Sequence, residues 1–181
     1  MSDSYCISQV GRRINKPMKI GLTTDHAGFH QIKELQEFLT HMGHECVYYG
    51  PEDLDIKDDY PDFIRPAAEA LARGEVEKAV IMGGSGQGEA MVANRVEGVR
   101  CAVYYGSAAA LSTIDAEGRM AADQYEILRL SRQHNDANML SVAARLVSQP
   151  DIEKAVDVWL DTKFSDVERH KRRIAKIDNH S

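Results

Sequence analysis

Short apolar runs and amphipathic stretches take turns along this chain from Met18 onward, and that alternation restricts the fold more than any single motif does. The run MKIGLT ends in the polar turn Thr24-Asp25-His26, and FHQIKELQEFLTHMG then sets Phe29, Ile32, Leu35, Phe38 and Leu39 on one helical face ahead of Gly43. ECVYYG reads as a second strand. Asp59-Tyr60-Pro61 introduces a second helix with Phe63, Ala67, Ala70 and Leu71 as its apolar positions. AVIM is short and apolar throughout, the pattern of a strand covered on both faces. RCAVYY and NMLSVAA supply a fourth and a fifth strand. DIEKAVDVWLDTKF is an amphipathic helix using Ile152, Ala155, Val156, Val158 and Trp159, and a charged helix from about Asp166 to Ile177 closes the chain.

Strands and helices in alternation predict an α/β fold: an open, five-stranded parallel sheet with helices on both faces. In that architecture ligands bind beyond the carboxyl ends of the strands. Chemistry is therefore expected in TDHAG, in GGSGQGE, around AAR, and in the HND turn leading into the fifth strand.

The rhythm breaks once, from Gly106 to about Glu126, which reads as an insertion before ILRLSRQ resumes helix. Residues 1–17 read as a loose extension, leaving 18–178 as one domain; 181 residues hold one core comfortably and two poorly. The first seventeen residues lack the apolar core of a signal peptide, and no later run approaches the length of a membrane span. Lys plus Arg number 22 against 28 Asp plus Glu, so a net charge of -6 offers no general attraction to nucleic acid or to an anionic membrane. Cys6, Cys46 and Cys101 are odd in number and have no metal-type spacing, the expectation for reduced thiols in the cytoplasm with no zinc site and no disulfide framework.

Four glycines crowd Gly83-Gly84-Ser85-Gly86-Gln87-Gly88 between a strand and a helix. Glycine permits positive φ and close approach to the backbone amides, and the following helix turns its positive end to the loop, which suits an anion. No Gly-Lys-Ser/Thr follows, and no acidic residue ends a strand about twenty residues on, so neither a P-loop nor a dinucleotide fingerprint is present. The loop is either a phosphate cradle or a reaction centre with Glu89 as its working group. Glu89 alone is equally a partner for the helix dipole; partial burial against Met91 and Val92 would instead raise its pKa toward that of a general base. Asp25 and His26 are equally an N-cap pair. His134, Asn135 and Asp136 serve equally as a helix end or as a titrating group with polar neighbours. Arg169 and Arg173, four apart, share a helix face that is either solvated or a phosphate clamp.

DHAGF, DYPDF, GGSGQGEAMVANR, GVRCAV, SRQHNDANML, AAR and ERHKRRIAKI, in this order, resemble the type B ribose-5-phosphate isomerases and their galactose-6-phosphate isomerase relatives over Met18 to about Asp178. The resemblance implies a Rossmann-like three-layer α/β/α sandwich, a homodimer or a tetramer of dimers with active sites between subunits, and aldose-ketose isomerisation of a phosphorylated sugar without metal or nucleotide. Many members carry a cysteine base where this chain has Gly83. A subgroup with Gly-Gly-Ser-Gly-x-Gly-Glu uses the glutamate instead, which maps onto Glu89, and the loop then reads as a reaction centre.

The resemblance further assigns Ser85 and the amides of Gly84, Gly86 and Gly88 to the oxyanion of an enediolate, and His134 with Asp25 to opening of the sugar ring. His26, Arg145, Arg169 and Arg173 match phosphate positions; Tyr60 and Asn135 match sugar positions. Ribose 5-phosphate is the leading substrate, with hexose 6-phosphates and tetrose phosphates as alternatives, and a non-catalytic sugar-phosphate binder as the rival outside enzymes. The insertion is expected beside the cleft, as a lid, a reshaped pocket wall or a subunit contact.

Overall fold

A computed structural model describes residues 16–178; the extension read over residues 1–17 therefore lies outside the described residues except for Lys16 and Pro17. Five strands, β1 (Lys19–Thr24), β2 (Glu45–Tyr48), β3 (Lys78–Gly83), β4 (Cys101–Tyr104) and β5 (Met139–Ala143), lie in the order β2-β1-β3-β5-β4 with every pair parallel. Six helices surround them: α1 (Phe29–His41), α2 (Pro61–Ala72), α3 (Gln87–Ala93), α4 (Glu126–Asn135), α5 (Gln149–Asp161) and α6 (Glu168–Asp178).

Alternating strand residues feed two cores, one on each face of the sheet. Ile20, Leu22, Val80, Met82, Leu140 and Val142 pack with Ile32 and Leu35 of α1 and Ile152 and Trp159 of α5. Ala79, Ile81 and Met139 pack on the other side with Ile64 and Leu71 of α2 and Ala93 of α3. The apolar stripe read for α5 is buried as a whole, and in α1 only Phe38 is left partly exposed. In α2 the buried residue is Ile64 and not Phe63, because the helix presents 64, 67, 68 and 71 at its 3.6-residue period.

The order of strands sets where a ligand fits. β1 connects outward to β2, while β3 lies on its other side, so the connections leaving β1 and β3 run to opposite faces and open a crevice at the carboxyl ends. At the far edge β4 pairs only with β5, and Asn94 covers part of its open side: its side-chain oxygen accepts from the Cys101 amide at 2.8 Å and its nitrogen donates to the Cys101 carbonyl at 3.0 Å.

Segment 106–125 runs along α4 and reaches α6, where Glu117 meets Arg169. Tyr104 and Tyr125, at its two feet, both donate to Asp151 at the start of α5, at 2.9 and 2.6 Å. Between them the chain runs along α4. Arg119 donates to Glu126 at 2.8 Å and to Gln133 at 3.0 Å, spanning two helical turns, while Asp115 holds the same guanidinium from within the segment at 3.1 Å. Arg129 grips Asp123 through two bonds of 2.7 and 2.8 Å. The insertion is thus a strap tied down by charge, with little apolar surface buried.

Candidate active site

Two groups of the expected site residues stand at opposite ends of the sheet. The first group gathers in the crevice. Asp25, next after β1 and 6% exposed, caps the short 3-10 turn His26–Gly28 by accepting from the Ala27 amide at 2.9 Å. His26 follows; its Nδ1 lies 2.6 Å from Asp58 Oδ1, and its backbone amide donates to Asp58 Oδ2 at 2.9 Å. Asp58 thereby fixes the ring with Nε2 turned to Arg145, whose Nη2 is 3.4 Å away. Arg145 reaches this point from the end of β5, where its own amide donates to the Gly84 carbonyl at 3.2 Å and its guanidinium lies over Gly84.

The glycine loop owes its shape to two close approaches. Gly86 takes φ +73, a left-handed conformation that disfavours any side chain, and its carbonyl accepts from the buried Ser141 hydroxyl at 2.7 Å. Gly83 faces the Glu89 carboxyl so closely that a Cβ there would collide with both carboxyl oxygens and their carbon. The space a side chain at position 83 would fill is the space the Glu89 carboxyl occupies. Glu89 is 5% exposed in the first turn of α3. Burial pushes its pKa above the usual glutamate range; a bond from its own amide works against that shift, and the negative charge of Asp25 adds to it. Tyr60 lies over Gly88, where a Cβ would come within 2.9 Å of the phenol, and the exposed Ser85 hydroxyl accepts weakly from the Gln87 amide at 3.4 Å. Burial also pushes the Cys46 and Cys101 thiols up, so neither supplies a thiolate at neutral pH.

Asp25, His26 and Asp58 bring potential metal-ligand atoms within 4.8 Å of one another. Asp58 engages the His26 ring and its backbone amide with both oxygens, and Asp25 accepts from the Ala27 amide, so the two carboxylates hold the turn and the ring.

The second group lies at the other end. His134 and Asn135 close α4, which returns to the amino end of β5, so the HND turn is not at the carboxyl ends of the strands as expected from sequence. The five residues of β5, at about 3.3 Å each, separate it from the Glu89 loop by roughly 16 Å. Asp25 and His134 do not meet within one protomer. His134 stacks instead on His170 of α6 with ring centroids 4.3 Å apart. His170 is 3% exposed, with Nδ1 2.8 Å from the Ser165 hydroxyl and Nε2 accepting from Arg169 Nε at 3.2 Å. Desolvation, then the charges of His170 and Arg169, hold His134 below the usual histidine range, so it is neutral near pH 7. With Arg173, Asn135 and Val103 these rings line a cleft of about 370 Å³, within the ~300–1,000 Å³ typical of small-molecule sites. Arg169 points both ends of its guanidinium fork at Glu117 of the strap, at 2.6 and 3.0 Å.

Asp58, Glu117 and His170 carry these arrangements without any signal that sequence reasoning used. Asp58 is one of several loop acids, Glu117 sits in a segment without periodicity, and His170 is hidden in the charge run RHKRR. No helix among the described residues is long and apolar enough to cross a membrane.

A family model described as Ribose/Galactose Isomerase matches residues 20–118 and 119–177, with its break inside the strap. Ribose-5-phosphate isomerase B of Mycobacterium leprae is 31% identical over 157 residues, 87% of this chain and 86% of that protein. The fold is similar to ribose-5-phosphate isomerase B of Clostridium thermocellum, with a TM-score of 0.76, 34% identity, and coverage of 89% of this chain and 95% of that one. It is also similar to the Mycoplasma genitalium enzyme crystallised with bound ribulose 5-phosphate, with a TM-score of 0.75, 30% identity, and coverage of 88% and 93%.

Proposed function

The chain belongs to the ribose/galactose isomerase family, and we propose that it interconverts ribose 5-phosphate and ribulose 5-phosphate through an enediolate, with the Glu89 carboxylate as the base at carbon. The observation that carries this reading is the Glu89 carboxyl itself: buried, raised in pKa, and packed into the space beside Gly83 at the switch point of the sheet. A buried carboxylate with no arginine on it among the described residues is costly as structure and useful as a base.

The reaction moves one proton between C1 and C2 and another between the two oxygens, and charge builds on oxygen in between. Ser85 and the amides of Gly84, Gly86 and Gly88 face that charge, where a strong donor contributes roughly 3 to 4 kcal/mol. His26 and Arg145 sit together at the rim and hold phosphate; Tyr60 contacts the sugar. Ring opening needs a group that is neutral and able to take a proton, and His134 meets that requirement. The length of β5, roughly 16 Å, lies between it and the Glu89 loop in its own chain. We therefore place the working site between two copies, with His134, Asn135 and Arg173 of one facing Glu89, Asp25 and Arg145 of the other. Free cysteines and a phosphorylated substrate suit a cytoplasmic enzyme.

Heavy-water NMR tests the reaction. Ribose 5-phosphate, allose 6-phosphate, galactose 6-phosphate and erythrose 4-phosphate are each incubated with the protein, and deuterium is expected at C2 of ribose 5-phosphate together with ribulose 5-phosphate. Exchange confined to another sugar would replace the substrate; exchange on none would end the isomerase reading.

Mixing variants tests the shared site. Glu89→Gln and His134→Asn are each expected to be nearly inactive, yet co-refolded mixtures should regain up to about a quarter of parent activity, because half the assemblies pair one defective with one intact site. Mixtures as inactive as their parts would place both groups in one chain's site. Arg173 is exposed in the cleft and has no ion pair among the described residues. Arg173→Ala is expected to raise KM for the phosphorylated sugar about tenfold or more with little change in kcat, the loss of a charge-assisted bond to phosphate. An unchanged KM would remove Arg173 from the clamp.

A further inference from the structure

Arg169 and Arg173 lie one helical turn apart on α6, but only one of them is open to an anion. Glu117, at the tip of the strap, takes both Nη atoms of Arg169 at 2.6 and 3.0 Å, and His170 takes its Nε at 3.2 Å. The pair is accessible, with Glu117 62% and Arg169 31% exposed, so solvent and ions reach it. The tip is held rigidly enough to matter: Asp115 accepts from the amides of Glu117 and Arg119 at 3.1 and 2.9 Å, and Arg119 anchors the turn to α4 through Glu126 and Gln133. A carboxylate and a phosphate ask the same thing of a guanidinium, a planar two-point contact.

On the reading that α6 faces the phosphate of the substrate, we propose that Glu117 is an affinity-setting residue of this site, a carboxylate that competes with the phosphate for Arg169. The phosphate must displace Glu117 to gain Arg169, and the strap tip moves off α6 when it does. Arg173 binds without that competition. The strap therefore weakens ground-state binding of phosphorylated sugars and leaves the groups at the reacting carbons untouched, which raises KM more than it changes kcat.

A double-mutant cycle tests this, read by calorimetric titration of ribose 5-phosphate and of inorganic phosphate, with KM and kcat measured alongside. Glu117→Ala is expected to tighten both ligands about two- to fivefold and to lower KM to match, the scale of an accessible ion pair. Glu117→Gln should follow it. In an Arg169→Ala background the same substitution should change affinity by less than about twofold, because the contested group is gone. Affinity that is unchanged or weaker in Glu117→Ala overturns the proposal, since Glu117 would then support Arg169. A parent that isomerises ribose 5-phosphate while Glu117→Ala leaves its KM unmoved defeats the competition alone. A parent that binds phosphate, tightens on Glu117→Ala and turns over no sugar defeats the isomerase reading alone, and one that binds neither ligand defeats both.

Discussion

Glu89→Gln is expected to lower kcat by at least about a hundredfold, within the ~10²–10⁴ that a positioned general base supplies, while leaving sugar-phosphate binding largely intact. Glutamine keeps the size and the packing beside Gly83 and removes only the ability to accept a proton, so the loss belongs to chemistry. Near-normal turnover would exclude Glu89 as the base. The parent's pH profile carries the same signature. Burial and then the nearby Asp25 raise the Glu89 pKa, so the acidic limb of kcat should fall above the ordinary glutamate range and vanish from the residual activity of the variant. Stability supplies an independent check. A raised folded pKa means that the native state holds the proton more tightly than the unfolded chain does; the stabilisation is complete below the ordinary glutamate range and is lost as pH rises through the raised value. Glutamine does not titrate, so the variant should keep or gain Tm near neutral pH while losing activity, the opposite of what damage to the fold would give.

The fold was legible because its determinants are local and periodic. Each strand and most helix faces can be read from runs such as AVIM and DIEKAVDVWLDTKF, and the parallel sheet follows from their alternation. Half of the candidate site was legible for the same reason: the carboxyl-end rule brings Asp25, the glycine loop and Arg145 together once the sheet exists. The placement of the HND turn was not. It is adjacent to a strand in sequence, but which end of the strand it joins depends on the direction of α4, and a turn entering a strand belongs to the amino end. The motifs therefore occur in one chain without meeting in one protomer. The strap was unreadable for another reason. Its position rests on Arg119, Glu117, Asp115 and paired tyrosines, and contacts between charged groups leave no periodic trace in sequence.

Gly83→Ala is expected to cost turnover on the same scale as Glu89→Gln, about a hundredfold, although alanine does no chemistry. The added methyl would stand where the Glu89 carboxyl now packs. The backbone cannot yield easily, because Gly83 ends a central strand and its carbonyl accepts from Ala144 at 2.9 Å, so the carboxyl must swing out of the crevice. Overpacking of this kind costs about 1–3 kcal/mol of stability. The cycle with Glu89→Ala distinguishes collision from general damage: removing the carboxyl first should let position 83 accept a methyl at little further cost, a coupling of the size seen between touching residues, roughly 0.5–3 kcal/mol. Additive losses would show that the two positions do not compete for one space. The same competition would make a side chain at position 83 and a glutamate at position 89 alternatives and not partners, because one volume admits one of them. Gly83→Cys combined with Glu89→Ala should therefore recover activity over Glu89→Ala alone, through a thiolate standing where the carboxylate stood, and no recovery would mean that the shared space does not lie in reach of the proton.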